Sequence, residues 1–263
     1  MDTIEVSRTD IEAGGAIVTI TLNRPAKKNA LNDVMWEELL ATFREIAASR
    51  SDRVVVITGA GGAFCSGADL TGGRVNAQPQ HSWYNMRNVA DVAMALHRLP
   101  QPTIAKVGGV AAGAGCNLAL ACDLIVASDQ ARFSEIFARR GLSVDFGGSW
   151  LLPRLVGLHR AKELALFADI LSADEAEAMG LVNRVVPAGE LDGFVDGWAR
   201  RLAAGPPIAL AQTKRLLNNS FEVTMEQALE DEGWAQTANF STRDTVEAMA
   251  AFGEKREPQF RGN

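Results

Sequence analysis

Two stretches of the 263-residue chain put small residues where an apolar run has just ended. "FCSGADL", Phe64 to Leu70, follows "VVVITG" and sets Ser66, Gly67 and Ala68 ahead of Asp69. "GGVAAGAGCNLALACD", Gly108 to Asp123, follows "PTIAKV" and opens into a helix near Ala114. Small residues let a ligand touch the main chain, and helix starts leave N–H groups without intrahelical partners. Two such sets aimed into one space form an oxyanion hole, a pair of donors for a carbonyl that becomes an enolate. Either stretch alone also reads as close packing or a tight turn. A dinucleotide fingerprint in "GAGCNL" fails because Leu118 occupies the third small-residue position and Asp129 comes early for a ribose ligand. An oxyanion hole only makes a neighbouring proton removable, and one carboxylate stands suggestively: Asp145 in "GLSVDFGGSW", just ahead of Gly147 and Gly148. Locally, Asp145 fits equally well as a cap for the helix "SWLLPRL" or its Gly-Gly turn.

The elements that must position these residues alternate. "AIVTITLNRP" reads as a half-buried strand closed by Pro25, and "DVMWEELLATFREIAAS" repeats apolar residues at helical spacing. "RVVVITG" is a β-branched run of the kind buried on both faces of a sheet. A helix from about Trp83 to Leu99, the strand "PTIAKV", the helix near Ala114 and the strand "DLIVAS" continue the pattern, which means a layered α/β core. From Gly147 the texture becomes helical, at 158–168, 173–179, 190–203, 208–219 and 223–252, with "LVNRVVP" as a short strand. Ser172 and Glu175 have capping-box spacing, and Thr71 to Ser82 reads as a mobile surface loop.

Composition bounds the function. Hydrophobic residues make up 47% and charged residues 22%, ordinary for a globular protein with a sizeable core. The net charge of −6 excludes nucleic acid and an anionic membrane as main partners. Three cysteines without metal-like spacing, Cys65, Cys116 and Cys122, and an N-terminus without an apolar leader fit small buried hydrophobes in a cytoplasmic protein. No metal site is expected. His81, His97 and His159 have no spacing that suggests catalysis.

Five segments in order, "LNRPAKKNALN", "FCSGADL", "GGVAAGAGCNLALACDLIVAS", "GLSVDFGGSWLLPRLVG" and "AFGEKREPQF", resemble the crotonase (enoyl-CoA hydratase/isomerase) superfamily almost end to end. The resemblance implies a ββα-spiral α/β core over residues 1–200, and a helical C-terminal region over 201–263 used in trimerisation or as a lid. It also implies a trimer or dimer of trimers, and a substrate carried as a coenzyme A thioester with no separate cofactor. By position, the oxyanion donors are the backbone N–H groups of Ala68 and Ala114, with Asp69 fixing the turn. Ser66, Gly67, Leu70 and Gly113 line the approach. Backbone near Lys28 and Ala30 meets the nucleotide, as do Phe252 and Lys255 near the C-terminus. Lys27, Lys28 and Lys255 could bind phosphate as point charges, though exposed lysines are usually just solvated.

The two glutamates of the family's hydratases fall on Asn117 and Phe137 here. Glu135 is near in sequence, but its offset of two residues is expected to turn its side chain elsewhere. Asp145 lies in a segment that resembles the single-Asp isomerases of the family, and most nearly the ring-epoxide isomerase-like branch of phenylacetate degradation. A single base suits isomerisation, with Phe137, Phe146 and Trp83 as an apolar lining that raises the carboxylate's pKa. An enoyl-CoA hydratase of fatty-acid or aromatic-acid degradation using Asp145 with another partner is the alternative, and an acyl-CoA-binding homologue without catalysis a third.

Overall fold

The structure is a computed structural model describing residues 1–12, 14–71 and 82–263. The loop expected from Thr71 to Ser82 falls almost wholly outside them, as does His81. The strands are β1 Ile4–Asp10, β2 Ala16–Leu22, β3 Asp52–Gly59, β4 Thr103–Val107, β5 Val110–Ala112, β6 Leu124–Ser128, β7 Arg132–Ser134, β8 Leu171–Ser172 and β9 Arg184–Val186. The helices are α1 Asp33–Ala48, α2 Ser82–His97, α3 Ala114–Leu120, α4 Gly148–Val156, α5 Leu158–Phe167, α6 Ala173–Ala178, α7 Leu191–Ala203, α8 Pro207–Asn219, α9 Met225–Phe240 and α10 Arg243–Glu254.

The larger sheet runs β1-β2-β3-β4-β6-β9, parallel except for the antiparallel β1–β2 edge. β3 lies inside this sheet, and its alternate residues enter two different cores. Val55 and Ile57 join the main core with Phe43, Ile46 and Leu96 from α1 and α2. Val54 and Val56 join a second core with Leu191, Val195, Ala199 and Ala203, one face of α7. Burial on both sides explains the unbroken β-branched run. A smaller sheet has the order β5-β7-β8, and its strand β5 leads into α3.

The capping box at α6 forms as expected: the Ser172 hydroxyl accepts from the Glu175 N–H, while the Glu175 carboxylate accepts from the Ser172 N–H. The helix expected over 223–252 is broken. Thr242 caps α10 by accepting from the Thr245 N–H, and such hydroxyl caps begin a new helix rather than continue the old one. β1 and the short strands β5, β7 and β8 are additional to the expected elements. β1 is an edge strand that buries Ile4 and leaves most of its residues exposed, so its apolar signal is weak.

Packing brings the two small-residue stretches together. A Cβ on Gly115, one residue into α3, would lie 2.5 Å from the Cys65 carbonyl oxygen and 2.6 Å from Cys65 Cβ. Only glycine lets α3 seat so closely on the 65–69 segment. Gly115→Ala is expected to destabilise the fold by roughly 1–3 kcal/mol through overpacking, seen as a lowered Tm in thermal unfolding followed by circular dichroism. An unchanged Tm would contradict this packing.

Candidate active site

The segment Cys65–Asp69 is held on both edges by backbone hydrogen bonds. On one side Ser66 N–H donates to the Lys28 carbonyl (3.0 Å), Leu31 N–H to Gly67 (2.8 Å) and Asp69 N–H to Leu31 (2.8 Å). On the other, Cys65 N–H donates to Val110 and Ala112 N–H to Cys65, both at 2.9 Å. The Ala68 N–H is skipped by this pattern and donates to nothing among the described residues, and Ala68 is exposed. Ala114, the first residue of α3, likewise has an unbonded N–H. A Cβ on Gly67 would sit 3.7 Å from the Ala114 nitrogen and 2.9 Å from the Ala112 oxygen, so the two donors lie on adjoining backbone. Gly67 and Gly113 both take positive φ, 99° and 54°, which side chains rarely adopt.

Two residues that sequence reasoning left unassigned make this clamp. Asn29 is fully buried with a left-handed φ of 58°, and its Nδ2 donates to the carbonyls of Ala60, Ala63 and Phe64. Its Oδ1 accepts from the Arg24 N–H at 3.0 Å. Arg24 reaches across to the Ala30 carbonyl and pairs with Asp69 at 2.8 Å. The Thr71 hydroxyl and then the Arg24 guanidinium hold the Asp69 carboxyl well below the usual carboxylate range. Asp69 therefore fixes the turn, in line with the expectation. Asn29 and Arg24 both lie in "NRPAKKNALN", but the Asn29 amide bonds to 60–64 and the Arg24 pair with Asp69 join residues far apart in sequence.

Asp145 does not cap α4. The N-cap is Gly147, no side-chain cap bond exists, and neither Asp145 carboxylate oxygen accepts a hydrogen bond among the described residues. Burial alone pushes its carboxyl up to about 6. Its backbone carbonyl accepts from Asn117 Nδ2 at 2.9 Å and from the Gly148 N–H at 3.0 Å. Asn117 lies one helical turn after Ala114, which ties the Asp145 turn to the helix that carries the second donor.

Glu135 departs from the expectation. Instead of turning elsewhere, its carboxylate is 3% exposed and accepts from Asn117 Nδ2 at 3.3 Å, while Oε1 has no partner. Burial raises it to about 7, with the Asp145 charge adding to the rise. β7 ends at Ser134, so Glu135 stands in the connection just beyond the strand.

Phe137 is buried, and its ring would meet a Cβ on Gly113 at 3.7 Å, at the start of α3. The Phe146 backbone is left-handed (φ 50°), and its buried ring stacks on Trp36 at 5.5 Å. Trp83 is exposed on α2 with the Arg87 guanidinium over its ring. Lys28 and Leu70 are exposed, Ser66 is half-buried and Ala30 is buried beside the clamp. Phe252 and Lys255 lie on and just beyond α10, which packs on α9, and Phe252 is 85% exposed. A cavity of about 1320 Å³ lies elsewhere, between the end of α2, the start of α4 and α8, and none of Ala68, Ala114 or Asp145 lines it.

The three cysteines are buried and unpaired, with thiols raised by burial, Cys65 to about 12. His97 is half-buried with its proton affinity lowered by burial, and its ring meets the edge of Trp150. Among the described residues no group of three or more His, Cys, Asp or Glu is placed to hold a metal ion, and no helix is long and apolar enough to cross a membrane.

Residues 12–263 match the Enoyl-CoA hydratase/isomerase family. The chain is 36% identical over 262 residues to the 1,2-epoxyphenylacetyl-CoA isomerase of Escherichia coli, covering 98% of this chain and 99% of that one. It is 35% identical over 256 residues to the short-chain-enoyl-CoA hydratase of Clostridium acetobutylicum, covering 97% of each. The solved structure of an enoyl-CoA hydratase from Bacillus anthracis superposes with a TM-score of 0.92 at 34% identity, each chain covered in full. This protein belongs to the enoyl-CoA hydratase/isomerase family and has the crotonase fold.

A base must be ionised to accept a proton, and Asp145 is raised toward 6. Turnover is therefore expected to fall on the acid side with a midpoint near that value rather than near the ordinary carboxylate range of about 4. A kcat/KM profile over roughly pH 5–8 on an acyl-CoA substrate checks this, and a flat profile down to the acid end would contradict Asp145 as the base.

Proposed function

We propose, from membership of this family, that the protein is an acyl-CoA isomerase working with one base, Asp145. The observation that carries the reading is a desolvated carboxylate without a structural hydrogen bond, tied through Asn117 to the helix whose first N–H is free. In this reading Asp145 takes a proton from Cα of the thioester, and the electron pair moves onto the thioester oxygen. The Ala68 and Ala114 N–H groups hold that oxygen as the enolate. The proton is returned further along the acyl chain as the double bond shifts, so atoms and charge balance without a second acid. Coenzyme A enters as part of the substrate, and no other cofactor is needed.

The absence of acids at 117 and 137, where the family's hydratases carry them, supports isomerisation. One observation favours hydration as the second reading: Glu135 is a buried second carboxylate within electrostatic reach of Asp145. α8, α9 and α10 and their connections leave Leu217, Phe221, Met225, Trp234, Phe240 and Phe252 exposed, which supports a homo-oligomer built on this region.

Asp145→Asn is expected to lower isomerisation of a 3-enoyl-CoA by about 10²–10⁴-fold with little change in binding of a saturated acyl-CoA measured by calorimetry. Unchanged turnover would overturn the reading. Water addition to a 2-enoyl-CoA at rates above isomerisation would move the assignment to a hydratase.

A further inference from the structure

Glu135 is a buried carboxylate that the one-base mechanism leaves unused. Its carboxylate is 3% exposed, Oε1 has no hydrogen-bond partner, and no Lys or Arg acts on it among the described residues. The groups that face it are Cys116 and Asn117 from α3 and Asp145 from the turn before α4. The Cys116 thiol is itself held neutral by burial, and behind it lies the equally buried Cys65. A buried carboxyl with an orphan oxygen costs stability that a leucine or glutamine there would not. Such a group is found where its chemistry is used.

The connecting element is the Asn117 amide. Nδ2 donates one hydrogen to Glu135 Oε2 (3.3 Å) and one to the Asp145 carbonyl (2.9 Å). The start of α4 presses on the same amide, since a Cβ on Gly148 would lie 2.4 Å from Nδ2 and 2.6 Å from Oδ1. With Glu135 as acceptor on one side, the amide has one orientation that serves both neighbours. We propose that Glu135 is a positioning residue for Asp145: through the Asn117 amide it fixes the turn bearing the base, and its charge is coupled to that of the base. The inference rests on Asp145 as the base and extends it.

Burial raises both carboxyls, Asp145 to about 6 and Glu135 to about 7 with the Asp145 charge adding to its rise, so the two titrate as a coupled pair. A group whose folded pKa is raised stabilises the fold below its unfolded value and loses that contribution as pH rises through the folded value. For Glu135 the window runs from about 4.5 to about 7.

The test compares wild type, Glu135→Gln, Glu135→Leu and Asp145→Asn in kcat and KM against pH on a 3-enoyl-CoA, and in Tm at about pH 4 and about pH 8, on either side of that window. The expected result is that Glu135→Gln loses the ionisation above about 7 from the kcat profile, keeps the acid limb, and gains more Tm over wild type at the alkaline pH than at the acid one. Glu135→Leu, which removes the acceptor, should lower kcat by about tenfold with KM unchanged. A Glu135→Gln variant with the wild-type pH profile and no pH-dependent gain in Tm, alongside an inactive Asp145→Asn, would overturn the coupling alone. An active Asp145→Asn would overturn the base assignment and the inference with it.

Discussion

The site depends on one close approach, that of α3 onto the 65–69 segment. Two chain regions far apart in sequence must present one free N–H each to the same small space. Backbone donors are rarely left unpaired, so the fold has to pair their neighbours while skipping Ala68 and Ala114. It does so by adding short backbone ladders to both edges of the segment and by omitting the Cβ atoms at Gly67, Gly113 and Gly115 that would hold the elements apart. Fixed dipoles of this kind need no reorganisation when charge develops on a bound oxygen, which is what makes them effective there.

Electrostatics of the opposite sign lie beside the hole. Asp145 and Glu135 are both raised by desolvation, and neither has a cation to offset it among the groups that shift them. Asp69, next to Ala68 in the chain, is in the reverse situation, lowered by Thr71 and Arg24 and serving structure. Three carboxylates thus divide by surroundings alone: a bonded one holds a turn, while the desolvated ones titrate well above the ordinary carboxylate range. Asn117 joins the two halves of the site, because α3 carries both the second donor and the amide that grips the Asp145 turn.

Much of this was legible in the sequence. The double-sided burial of β3 showed in its unbroken β-branched run, and small residues after two strands marked the two segments that pack closely on each other. The capping box of α6 showed in Ser172 and Glu175, whose contacts are local. Asn29 and Arg24 were not legible, since an Asn that bonds carbonyls more than thirty residues away has no local signature. The same limit applied to the left-handed backbone of Phe146 and the stacking of its ring on Trp36. Glu135 was expected to turn elsewhere from its two-residue offset alone, but the chain leaves the sheet after Ser134 and brings its carboxylate to the Asn117 amide, a contact with no local signature.

Enolate formation at Ala68 and Ala114 with Asp145 as the base is the central claim. The most direct measurement follows deuterium entering Cα of a saturated short-chain acyl-CoA in deuterated water by NMR and mass spectrometry, where no double bond or ring can react. The predicted result is exchange with the wild-type protein and its near-complete loss in Asp145→Asn. No exchange with wild type, or undiminished exchange in the variant, would contradict it.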